Sequence, residues 1–142
     1  MKAFDKFVTQ VVNKYSLPVS RFAIFLIYFW FGVLKLFSLS PANPLVAGLL
    51  EKTLPFVSFN QFIIFLGVVE MIIGILFLVP KLEKLASAIL IIHMLTTFGP
   101  LLLVPAMSWQ NFLVPTLEGQ YILKNFVTLA LVMQVLRQTA KK

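Results

Sequence analysis

The run FIIFLGVVEMIIGILFLV, residues 62–79, decides the fold. It is apolar from end to end except for Glu70, and about 18 such residues in a row suffice for a helix to cross the hydrocarbon layer of a membrane. Working outward, three more long apolar stretches cover residues 22–39, 85–104 and 119–136. Each carries an ionisable residue where lipid should be: Lys35 in the first, His93 in the third and Lys124 near the start of the fourth. A charge placed in lipid costs at least about 2.5 kcal/mol unless it is paired, so these four side chains need a reason to be there.

Composition supports the membrane reading. Hydrophobic residues make up 60% of the 142-residue chain and charged residues 12%, against roughly 45–50% and 25% in soluble domains. A chain this short and apolar cannot hide those side chains inside a water-soluble globule. The expected fold is therefore all-α, a polytopic bundle of four transmembrane helices spanning about 22–39, 62–79, 83–99 and 119–137. No cleavable leader pattern is expected, because the first 17 residues lack a continuous apolar core, and the first span doubles as the insertion signal. The absence of cysteine excludes disulfides, thiolate metal sites and dithiol exchange within the chain. A single histidine excludes a haem held by two histidines of one copy. The net charge of +7 lies at the flanks of the spans, where it reports topology and contact with anionic lipid and does not indicate nucleic acid.

Before the first span, Phe4, Phe7, Val8, Val11, Val12 and Tyr15 recur at helical spacing among lysines. Residues 1–18 read as an amphipathic helix on the membrane surface, interrupted by Pro18; a frayed basic tail is the alternative. Residues 19–142 then form the transmembrane domain, with Ser20 as an N-cap. Asn43 and Pro44 suggest a cap and first position of a short helix running to about Lys52, too short to cross and lying at the outer interface. Pro80 closes the second span, residues 81–84 turn into the third, and Gly99-Pro100 breaks it. Lys2, Lys6, Lys14 and Arg21, then Lys81 and Lys84, then Arg137, Lys141 and Lys142 all fall on one side, which places both termini in the cytoplasm.

The rise of about 1.5 Å per residue puts Lys35, Glu70, His93 and Lys124 in the same outer half of the bundle. Tyr28, Gly32 and Lys35 share a helix face, as do Gly67, Glu70 and Gly74, and as do Tyr121, Lys124 and Thr128, with Asn125 adjacent and Glu118 above. These faces are expected to turn inward around a polar pocket lined by Lys35, Glu70, His93, Lys124, Tyr28, Tyr121, Asn125 and Glu118. The bland alternative is a single structural pair, Lys35 or Lys124 with Glu70, and one buried hydrogen bond from His93. No phosphate loop, metal-ligand cluster or nucleophile–base pair is recognisable, so no residue is assigned a catalytic role.

Gly32-Val33-Leu34-Lys35, then Gly67-Val68-Val69-Glu70 with Gly74, then Glu118-Gly119-Gln120-Tyr121-Ile122-Leu123-Lys124-Asn125 resemble the pattern of DoxX-like membrane proteins over nearly the whole chain. The match is nearest to an uncharacterised branch of small bacterial inner-membrane proteins. Thr96-Thr97-Phe98-Gly99-Pro100 departs from that branch's threonine-proline-like turn by a Phe and a Gly before the proline. The resemblance implies a four-helix bundle in a prokaryotic cytoplasmic membrane, with Lys35, Glu70 and Lys124 as its polar core. One branch of the family supplies the membrane subunit of a thiosulfate:quinone oxidoreductase, and others accompany redox or stress-response systems. Two functional expectations follow. One is a quinone-facing subunit that takes electrons from a redox partner protein; the other is a non-enzymatic transporter or assembly and stress-response protein, the transporter working as a homo-oligomer.

Overall fold

The structure is a computed structural model and describes residues 2–140. Its elements are helices α1 (Lys2–Leu36), α2 (Asn43–Thr53), α3 (Phe59–Leu78), α4 (Glu83–Thr97), α5 (Pro100–Leu103) and α6 (Pro105–Ser108), the short strands β1 (Trp109–Asn111) and β2 (Val114–Pro115), and helix α7 (Leu117–Thr139). Four helical stretches are long and apolar enough to cross a membrane: α1, α3, α4 continued through α5, and α7. Lys141 and Lys142, counted in the charge pattern above, lie outside the described residues.

The first difference from expectation is α1, which runs without interruption through Pro18. The proline lacks an N–H, so the Lys14 carbonyl loses its intrahelical donor, yet the turn continues. Residues 2–18 are thus the start of the first long helix, with Ser20 inside it and not at its cap. At its other end α1 stops at Leu36, earlier than the apolar run suggests. Ser38 adopts a left-handed φ of 59°. Its N–H bonds the Lys35 carbonyl, and the Leu39 N–H bonds the Leu34 carbonyl, a Schellman ending that satisfies two orphan carbonyls.

The short helix α2 forms where expected, but Ala42 takes the cap position and Asn43 sits inside with its Oδ1 buried and unbonded. The reading of Asn43 as the cap is corrected accordingly. Ser58 occupies the N-cap of α3 with no side-chain bond, whereas Thr116 caps α7 by accepting from the Gly119 N–H at 3.0 Å. Pro100 interrupts the third span as anticipated, since it cannot donate to Thr96; the Gly99 N–H takes that carbonyl instead. The hairpin of β1 and β2, with Leu113 at φ 57°, has no counterpart in the sequence reading.

Helix α1 packs most closely on α3, α3 on α4, and α4 on α7. Ile24, Tyr28, Ile73, Phe77, Ala86, Leu90, Met94, Val132 and Val135 form one core from all four. The α1–α3 contact is as close as backbones allow. A Cβ on Gly32 would lie 2.5 Å from the Gly67 carbonyl oxygen, and a Cβ on Gly67 would lie 2.8 Å from that of Gly32. Each glycine makes room for the other's carbonyl, the small-residue logic of helix packing in lipid.

Candidate functional site

The Gly32–Gly67 crossing fixes what stands one turn further along. Lys35 follows Gly32 by three residues and Glu70 follows Gly67 by three, so the two side chains face each other across the closest point of the α1–α3 contact. Lys35 Nζ donates to Glu70 Oε2 at 2.6 Å. His93, from α4, places Nε2 3.3 Å from the other carboxylate oxygen, Oε1. All three are buried, at 5%, 6% and 8% exposure. One carboxylate therefore joins three helices, with a basic group on each oxygen.

Tyr28 completes the cluster from α1. Its ring stands edge-on to the His93 ring, with centroids 5.9 Å apart, and its hydroxyl contacts Met94 Sδ at 3.3 Å. Lys35 also lies in the last turn of α1, where its charge complements the partial negative end of the helix. An ammonium has three donors. Among the described residues only one of those on Lys35 is used within the protein.

The other expected members are elsewhere. Lys124, Tyr121 and Glu118 are exposed on the outside of α7 and do not join the cluster. A helical Cβ leans toward the N-terminal end, so Lys124 reaches back along α7 and sets Nζ 4.7 Å from the Tyr121 ring centroid. This is a snorkelling lysine lying over an aromatic face. Glu118 sits in the first turn of α7, favourable to the positive helix end. Asn125, one position on, turns inward instead and donates to Thr97 Oγ1 at 3.1 Å, tying α7 to the end of α4. Lys35 and Glu70 touch directly, so the triad is closed on itself and does not line an open pocket. The two cavities described lie away from it, one beside α1 and the last turns of α7 and one at the β1–β2 hairpin.

A second ionic contact, partly buried, had no counterpart in the sequence reading. Arg21 pairs with Glu83 at 2.9 Å and its Nε donates to the Phe77 carbonyl at 2.5 Å. That carbonyl belongs to the last turn of α3, where no intrahelical N–H is left to meet it. Arg21 thus caps α3 and holds the first residue of α4, at the opposite end of the bundle from Lys35. The available signal was Glu83, an acid between Lys81 and Lys84, at the same membrane level as Arg21. Among known proteins, no family model, no curated protein and no solved structure matches this chain.

Proposed function

We propose that the chain is a DoxX-like, redox- or stress-associated subunit of a prokaryotic cytoplasmic membrane, with both termini inside, whose Lys35–Glu70–His93 triad meets a quinone headgroup when α4 draws back from α1 and α3. The observation that carries this reading is the carboxylate of Glu70 contacted on both oxygens by basic groups from two other helices. A quinone presents two carbonyl oxygens that accept hydrogen bonds and take up protons on reduction. The spare donors of Lys35 suit one such oxygen, and the Tyr28 ring offers a flat neighbour. His93, an imidazole able to carry and release a proton, suits delivery of one, with Glu70 relaying it. The two electrons come from a partner protein and the second proton from the aqueous phase.

Titration of the purified full chain with a short-tailed ubiquinone analogue tests this. Lys35→Met and Glu70→Gln should each weaken binding by about tenfold or more, the worth of a hydrogen bond to a charged group. Equal affinity in wild type and both variants would overturn the reading.

The direct 2.6 Å contact of Lys35 with Glu70 favours a second reading. In it the protein is a non-enzymatic transporter or membrane assembly protein, and the triad is a structural lock among three helices. Vesicles in which Lys35→Met/Glu70→Met behaves as wild type would support it.

A further inference from the structure

We infer that the cavity between α1 and the last turns of α7 is a binding site for a phosphate anion, carried by the headgroup of an anionic phospholipid or free in solution. The cavity has a volume of about 480 Å³ and is lined by Asn13, Lys14, Ser16, Gln134, Arg137 and Gln138, among others. Its size falls within the ordinary range of small-molecule sites, about 300–1,000 Å³. Two of its lining residues, Ser16 and Gln138, hydrogen-bond to each other at 3.1 and 3.4 Å across the two helices.

The charge balance points to an anion. Among the described residues, the cations Lys14 and Arg137 line the cavity and no carboxylate does. The chain has five acidic residues, and each is committed or distant. Glu70 and Glu83 are held by Lys35 and Arg21. Glu51 and Glu118 stand at the other end of the bundle, on α2 and at the start of α7. Asp5 is about 13 Å further along α1 than Lys14. The partial negative charge at the end of α7 accounts for Arg137 in its last turn. It does not account for Lys14, which comes from the body of α1 and whose Nζ meets only the Tyr15 ring, 5.2 Å from its centroid, among the described residues. An anion between them offsets their like charge, and the side-chain amide N–H groups of Asn13 and Gln134, with the second N–H of Gln138, supply hydrogen bonds to its oxygens.

The location argues for a headgroup. The cavity lies beside the residues that precede the apolar run of α1 and those that end α7, where two long apolar helices leave hydrocarbon. A cation near an anionic membrane surface is worth about fivefold in affinity, so two give a usable preference for anionic over zwitterionic lipid.

Native mass spectrometry of the full chain in detergent, with added dioleoyl phosphatidylglycerol or dioleoyl phosphatidylcholine, tests the site. One phosphatidylglycerol should be retained about fivefold or more over phosphatidylcholine, and Lys14→Gln and Arg137→Gln should each reduce that retention about fivefold. Lys14→Arg should restore it, and Lys81→Gln, a charge loss elsewhere, should leave it unchanged. Displacement of the lipid by inorganic phosphate assigns the site to free phosphate, and resistance to displacement assigns it to the headgroup. Equal retention of the two lipids, or wild-type retention by both glutamine variants with unchanged melting, overturns the inference.

Discussion

Glu70 is asymmetric in what its neighbours do for it. Lys35 neutralises it at 2.6 Å, while His93 stands at 3.3 Å on the other oxygen. Removing Lys35 as Lys35→Met leaves a carboxylate in an apolar interior with only the imidazole, which should cost about 3–5 kcal/mol. Lys35→Met/Glu70→Met removes both charges and should recover most of that loss. Unfolding midpoints of the single and double variants in one detergent measure the difference; equal destabilisation by both would show that the charges are not coupled. The triad was legible in the sequence because ionisable residues in apolar runs are conspicuous and helix depth is simple arithmetic. Lys124 was misplaced because α7 carries polar side chains around much of its circumference. Lys124 and Asn125 differ by one position, and only packing decides that Asn125 turns inward toward Thr97. Arg21 was read as a topological marker, which hid its second role as partner of Glu83 and Phe77.

Among the elements, α1 and its contact with α3 carry the clearest consequences. Gly32→Val would drive its Cβ into the Gly67 carbonyl, so the helices must part. The expected cost is about 1–3 kcal/mol for overpacking, with loss of the Lys35–Glu70 contact as well. A lowered melting temperature checks this, and a variant that melts like wild type would show that α1 and α3 can separate freely. Pro18 offers the opposite sign. It sits within a continuous helix, so Pro18→Ala restores a missing hydrogen bond and should stabilise the chain by up to about 3 kcal/mol. A melting temperature that fails to rise would mean that the proline serves a local geometry of its own. The long helices were legible from their apolar length. The uninterrupted course of α1 was not, because a proline lowers the odds of a helix without forbidding it when the flanking turns are held. The β1–β2 hairpin was also missed, since strands this short show no alternation and its positive φ falls on Leu113, not on a glycine.

At the scale of the whole molecule, the absence of cysteine makes topology directly measurable. On the proposed orientation, a membrane-impermeant maleimide should label Lys81→Cys only from the cytoplasmic side and Asn111→Cys only from the other. Labelling of both from one face would refute the four-crossing arrangement. The four long apolar helices and their order could be read from residues alone; how they pair sideways could not, because lipid-facing and helix-facing apolar side chains are chemically alike. That pairing has a mechanical outcome. Two helices whose carbonyls each occupy the space of the other's missing side chain can neither roll nor slide, so α1 and α3 behave as a welded half. Any breathing of the bundle falls to the half made by α4 and α7. The contacts that cross this seam, among them His93 with Glu70, Tyr28 with Met94, Arg21 with Glu83 and Ser16 with Gln138, are the ones such a hinge would open first.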